Sequence, residues 1–173
     1  MTAEGLDGLL AAATIDPAVH ALRPDYLALL VAAAGLPGGP SNEASDGWLR
    51  EAEAAAVARL AGSPLEERPH VALWREAFRA FGAKPQRTRS SLEALLRRVP
   101  DGLPRINRLT DLYNAVSVLY EVPVGGEDLD AYVGPARLVR ATATAAGDDL
   151  ERRLCALDPA VITAHRLLAA SHT

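Results

Sequence analysis

VALWREAFRAFGAKPQRTRSSLEALLRRVPDGLPRINRLTDLYNAVSVLYEVPVGGEDLDAY, residues 71–132 of a 173-residue chain, holds three helix signals in succession and a concentrated block of positive charge. From Val71 to Phe81, helical spacing puts Leu73, Ala77, Phe78 and Phe81 on one side with Trp74 alongside. Gly82 supplies a stop and Pro85 prevents continuation. Ser90-Ser91-Leu92-Glu93 fits a capping box, in which Ser90 accepts from the third helical amide and Glu93 reaches back to the Ser90 amide. That helix runs to about Val99, turns Leu92, Leu95, Leu96 and Val99 inward, and ends at Pro100, Gly102 and Pro104. A third helix is expected from about Asn107 to Glu121. Leu109, Leu112, Tyr113, Val116, Leu119 and Tyr120 fall within one arc of roughly 120° on it, which makes that arc the expected inner face. Asn107, Arg108, Asp111 and Asn114 fall opposite, where a solvated face would ordinarily carry Lys, Glu and Gln. Asn107 as a cap and Asp111 at the positive helix end explain part of this pattern. Asn114 is open between a pocket role and structural hydrogen bonding.

Outside this block, Gly and Pro divide the chain. A short helix is expected over Gly5 to Ala13, with a further short segment from Asp16 to Arg23. YLALLVAAAG, starting at Tyr26, lies between Arg23-Pro24-Asp25 and Pro37-Gly38-Gly39-Pro40. Its shortness and its bounds favour a buried strand over a buried helix segment. Ser41 to Ala61, rich in Ala and Glu, should be a helix ending at Gly62. Val124-Gly125-Gly126-Glu127-Asp128-Leu129-Asp130 lacks calcium-loop spacing and reads as a turn opening a short helix with acids at its positive end. Ala136 to Ala141 alternates apolar and basic residues as a strand does, and residues 148–171 read as C-terminal helices. These elements make one compact, helix-dominated α+β domain spanning residues 1–173, with a small sheet built from 26–34 and 136–141.

The charge is unevenly placed. Nine of the eighteen Lys and Arg residues lie between Arg75 and Arg108 against three acids, giving +6 in a chain of net charge −4. An island of this kind suits a polyanion, since clustered cations release phosphate counterions, and it equally suits a pair of solvated helix faces. Arg87, Arg89, Arg97 and Arg98 are the candidate RNA contacts. One Cys and one Met rule out a disulfide framework and point to a reducing compartment. With no basic-then-apolar leader pattern, and with the longest apolar run (Leu27 to Ala34) too short to span a bilayer, the expectation is a cytoplasmic protein without a membrane partner.

Familiar catalytic chemistry is missing from the pattern. His20, His70, His165 and His172 are scattered without zinc spacing, and Cys155 has no positional tie to a base. Phosphate-loop, dinucleotide and nucleophile-elbow motifs do not occur. Neither a metal nor a cofactor is expected and no catalytic residue is assigned, so a hydrolase built on this chain would act by positioning water.

The runs WREAFRAFGAKPQRTRSSLEALLRRV (residues 74–99), LPRINRLTDLYNAVSV (103–118) and VPVGGEDLD (122–130) together resemble the free-standing form of the B-three/B-four domain, the editing domain of the bacterial phenylalanyl-tRNA synthetase β subunit. The likeness is strong over 70–141 and weaker over 16–68. It implies a mixed α and β fold and a pocket that, in the synthetase, hydrolyses tyrosine wrongly attached to the phenylalanine tRNA. Carried over by position, the family's I-N-x-V-x-D-x-x-N stretch falls on Ile106 to Asn114. Substrate-binding roles then land on Arg108, Tyr113 and Asn114, with Asp111 as a helix-anchoring acid in the same set. The family's P-x-H-x-F-D turn falls on Pro123 to Asp128, so Gly125 stands where the synthetase has histidine, and Gly125 and Gly126 join the candidate site. In the family a β-rich stretch follows the counterpart of Ala136 to Ala141, whereas here the chain leads straight to its last segment. The resemblance therefore implies a shortened pocket. It leaves three functions open: aminoacyl-tRNA recognition with trans-editing, a noncatalytic module for tRNA or an amino acid, and a helix-mediated interaction protein. Ala136 to Ala141 is expected either to keep an unpaired edge, through which the chain would form a homodimer or aggregate, or to have its place beside the sheet taken by the C-terminal helices.

Overall fold

The computed structural model describes residues 2–131, 133–140 and 160–167. Thr2 caps α1 (Ala3–Ala12) by accepting from the Gly5 amide, and β1 (Thr14–Ile15) follows. Asp16 caps α2 (Pro17–Leu22), whose first position is proline, where no helical donor is lost. After β2 (Tyr26–Ala33), α3 (Glu43–Leu60) begins with a reciprocal capping box between Asn42 and Ser45. Next come α4 (Pro69–Ala80), α5 (Ser91–Arg98) and α6 (Arg108–Tyr120). β3 (Val124–Asp128), β4 (Arg137–Leu138) and β5 (Ala160–Leu167) complete the order. The helix-dominated α+β architecture expected from the sequence is the one observed.

The core lies among the helices. Leu49, Ala52 and Ala56 of α3 meet Val71 of α4, Leu92, Leu95 and Leu96 of α5, and Ala115 and Val118 of α6. α3 and α6 run parallel, because Ser45 and Asp111 meet near both N-termini while Arg59 donates to the Val118 carbonyl at 2.8 Å near both C-termini. A second, smaller cluster places Tyr26 of β2 and Ala77 of α4 with Leu73 and Trp74.

The sheet differs from expectation in three ways. First, β2 pairs antiparallel with β5, which also pairs antiparallel with β3, giving the order β2-β5-β3. Residues 160–167 thus form a central strand where a C-terminal helix was expected. The β-branched triplet Val161-Ile162-Thr163 has a sequence preference for strand over helix. The remainder of the expected C-terminal helices lies outside the described residues. Second, Val124–Asp128 is a strand where a turn was expected, while the short helix expected after it is present as a single 3-10 turn, Leu129–Ala131, with Asp130 in it. The two glycines of the strand are poor strand formers, and the ladder to β5 overrides that local preference. Third, the expected strand over Ala136 to Ala141 shrinks to Arg137–Leu138 and never joins β2. It pairs in parallel with β1, with the Thr14 and Asp16 amides donating to the Ala136 and Leu138 carbonyls at 3.0 and 2.9 Å. Arg137–Leu138 thus has a partner on one side, Ala141 lies outside the described residues, and the outer strands of the three-stranded sheet are β2 and β3.

The helix α6 is turned about its axis relative to the sequence expectation. Thr110, Asp111, Asn114, Ala115, Ser117 and Val118 are buried, whereas Val116 and Tyr120 from the expected inner arc are 39% and 72% exposed. Small side chains let α6 approach α3 closely, and internal hydrogen bonds to Asp111 and Ser117 remove most of the cost of burying polar atoms.

Two predictions follow from this packing. Leu49 is fully buried between the helices, so Leu49→Ala should cost about 2–5 kcal/mol in urea unfolding, through lost transfer energy and an unfilled cavity. Separately, the Arg23 guanidinium hydrogen-bonds Asp25 and holds that carboxyl below its usual range. A lowered folded pKa means that the pair's contribution is complete above the unfolded carboxyl value of about 4 and is lost as pH falls through the folded value. Arg23→Gln should therefore destabilise the protein at pH 7, with the gap to the unsubstituted protein closing towards pH 2.

Candidate functional site

The residues singled out on α6 divide by what the structure gives them to bind. Asn107 is the N-cap and accepts from the Thr110 amide at 2.9 Å. Asp111 has no exposure. One of its oxygens accepts from the Ile106 amide at 2.9 Å and the other from the Ser45 hydroxyl at 3.0 Å. Since Ser45 also belongs to the α3 capping box, Asp111 joins the starts of two helices. Its carboxylate is engaged on both oxygens, which suits the anchoring role better than contact with a ligand.

Asn114, one turn further on, is 8% exposed, and its side-chain amide makes no hydrogen bond among the described residues. Its carboxamide therefore leaves two donors and one strong acceptor free of protein partners. Arg108 carries a buried unsatisfied atom: its Nε is buried without a partner and its guanidinium forms no ion pair among the described residues. The Gly39 loop fixes its position, since the Arg108 amide donates to the Gly39 carbonyl at 3.2 Å and Nη2 lies 3.5 Å from where a Gly39 Cβ would stand. Tyr113 is half-buried. At about 100° per residue, Arg108, Tyr113 and Asn114 are spread around α6 and do not share one face.

The candidate glycines are delivered by the turn after α6. Glu121 adopts the left-handed conformation (φ 53°), and its carboxylate is held by Arg68 and by Arg59 at 3.3 Å. Ser117 locks the same turn, its hydroxyl donating to the Val122 carbonyl at 2.6 Å while its own carbonyl accepts from the Val122 amide at 3.1 Å. β3 therefore starts at a fixed point. Its alternation sends Gly125 and Gly126 to opposite faces of the sheet, so the two do not line one surface together. Nothing lies within 4 Å of a Cβ built on Gly125, which leaves open space on that face. Glu127 shares the face with Gly125, and partial burial raises its carboxyl pKa. The sequence does not single out Glu127, because the glycine pair in VGGED reads as a turn. Reading it as a strand would have put Gly125 and Glu127 on one face.

The basic island is partly neutralised. Glu93 is 1% exposed and accepts from Arg75 and Arg97, each at 3.1 Å, while Arg89 lies 3.8 Å away. The expected return bond from Glu93 to the Ser90 amide is absent, so the box is half made, with Ser90 alone capping α5. The arginines draw the Glu93 carboxylate instead, a stronger charge-assisted contact than a neutral amide offers. Arg97 also pairs with Glu66, and Arg105 bridges Asp46 and Glu53. Of the four candidate RNA contacts, Arg97 is thus engaged internally, Arg89 is 44% exposed beside Glu93, and Arg87 and Arg98 are exposed without an ion pair among the described residues. Arg79 and Lys84 are free in the same sense. Among the described residues there is no group of three or more His, Cys, Asp or Glu placed to hold a metal, and no helix is long and apolar enough to cross a membrane.

The family model of the B3/4 domain, the domain of the phenylalanyl-tRNA synthetase β subunit, matches residues 73–165, more than half of the chain. The chain belongs to the B3/4 domain family. That match runs from the middle of α4 through α5, α6 and β3 into β5, so it takes in every candidate residue on those elements. No curated protein and no solved structure matches the chain.

Asp111→Ala should cost about 2–4 kcal/mol, because it strands the Ile106 amide and the Ser45 hydroxyl in the interior. Asn114→Ala removes no protein hydrogen bond and should stay within about 1 kcal/mol in the same denaturant titration. A loss of several kcal/mol at Asn114 would make it a structural residue.

Proposed function

We propose that this protein recognises the acceptor end of an aminoacylated tRNA and hydrolyses the ester when the wrong amino acid is attached. Residues 16–141 are the editing-domain-like region in this reading. The observation that carries it is the match to a domain family known from a tRNA synthetase subunit, beside the unpaired cations of the α4–α5 loop and an Asn114 side chain on α6 that makes no hydrogen bond among the described residues. Asn114 would orient the aminoacyl ester, and the exposed cations would hold the phosphates. Chemistry by positioning needs little more. A water oxygen adds to the ester carbonyl carbon and the bond to the terminal ribose oxygen breaks. That oxygen leaves with one of the water's protons, the other passes to solvent, and the amino acid departs as its carboxylate.

A panel of mischarged tRNAs, assayed for deacylation with filter binding alongside, tests this directly. The expected result is turnover of at least one mischarged species, lost in Asn114→Ala. Binding of tRNA without turnover of any species would make the protein a noncatalytic module. Binding should weaken with salt, and replacing Lys84, Arg87 and Arg98 with Ala should flatten the slope of log affinity against log salt by about two to three units. Arg97→Ala should leave that slope nearly unchanged and lower stability instead, since Arg97 is committed to Glu66 and Glu93. Sedimentation in the same buffers tests the homodimer, for which β2 is the place: an outer strand of eight residues without a charge, exposing Leu27, Leu29 and Val31.

A further inference from the structure

The free cations are not scattered. From Ala77 to Leu92 the chain carries Arg79, Lys84, Arg87 and Arg89 and no acid, and this segment is the end of α4, the start of α5 and the loop between them. In the chain between Arg79 and Lys84, neither of which has an ion pair among the described residues, stands Phe81, 42% exposed at the C-cap of α4. An isolated exposed phenylalanine is ordinary on a protein surface. This one is held in place from behind: its ring meets Phe78 edge-on at 5.1 Å, Phe78 lies 6.3 Å from Trp74, and Trp74 meets Tyr26 of β2 edge-on at 6.5 Å. The row runs from the small core to the surface.

The loop that follows is fixed as well. Gly82 (φ 88°) and Ala83 close α4 with two reversed bonds, Gly82 N–H to the Arg79 carbonyl at 3.0 Å and Ala83 N–H to the Phe78 carbonyl at 2.8 Å. The Lys84 carbonyl then accepts from the Arg87 and Thr88 amides at 2.8 and 2.9 Å, around a buried Pro85. A supported aromatic face followed in the chain by unpaired cations on a hydrogen-bonded loop is what binding of single-stranded nucleic acid uses: bases stack on the ring and the cations follow the phosphates.

We propose that Phe81 is a stacking platform for an unpaired base of a single-stranded RNA end, with Arg79, Lys84 and Arg87 holding the adjoining phosphates. This rests on the tRNA reading and places the strand outside the α6 site, at the α4–α5 loop. Stacking is indifferent to base identity, so the contact gives position and not sequence preference.

The test measures binding of a short single-stranded RNA oligonucleotide, a blunt RNA duplex and intact tRNA to the full chain. The comparison is among the unsubstituted protein, Phe81→Ala and Phe81→Trp. Phe81→Ala should weaken oligonucleotide binding about tenfold while the salt slope stays the same, because no charge has been removed. Phe81→Trp should restore it, which a merely structural effect of losing the ring would not require of a larger side chain. Blunt duplex should bind no differently to the three proteins. Equal oligonucleotide affinity for all three, with an ordinary salt slope, would overturn the stacking role and leave the tRNA reading standing. Absence of salt-dependent binding to any RNA by the unsubstituted protein would remove the tRNA reading and this proposal together.

Discussion

The carboxylate of Asp111 is the constraint on which the arrangement of this molecule turns. By accepting from the Ile106 amide it ties the first turn of α6 to the loop before it, and by accepting from Ser45 it ties α6 to the capped start of α3. The two helices are thereby set parallel, with small residues of each against the other. That register in turn determines which side of α6 is buried. An anion buried without exposure persists only when its lone pairs are engaged, and here each oxygen has a donor. At the other end of α6, Arg59 and Arg68 gather around Glu121, which suits cations at the negative end of a helix, and Ser117 clamps the turn into β3. The helix is held at both ends, and the strand bearing Gly125, Gly126 and Glu127 begins from a fixed place.

Against this background of satisfied polar groups, the unsatisfied ones are conspicuous by contrast. Asn114, between Asp111 and Ser117 on the same side of α6, makes no hydrogen bond among the described residues, whereas both of those neighbours are engaged. Arg108 is held by the Gly39 loop with its Nε buried and unpaired. Polar groups buried without partners are rare because they are costly, which is the physical reason to look for a ligand beside them. The charge tells a parallel story. Glu93 draws Arg75 and Arg97 inward to stabilise the contact of α4 with α5, so a +6 window in the sequence becomes a smaller free patch centred on the α4–α5 loop.

The sequence by itself determined the helices from α3 to α6, the strand β2, the family and the helix-dominated fold class. Each rests on local chemistry: Ser90 and Asn107 as caps, Gly82 as a stop, Pro100 and Pro104 as breaks, and a run of residues whose order is specific to the family. Only the tertiary structure decided which face of α6 is buried, which arginines are free, and that residues 160–167 complete the sheet between β2 and β3. In each of these the deciding partner is distant in the chain. Asp111 needs Ser45, Arg97 needs Glu66, and the glycines of β3 are made into a strand by the β5 ladder. Periodicity and local propensity carry no information about contacts of that range, and a polar side chain reads as solvated until its buried donor is known.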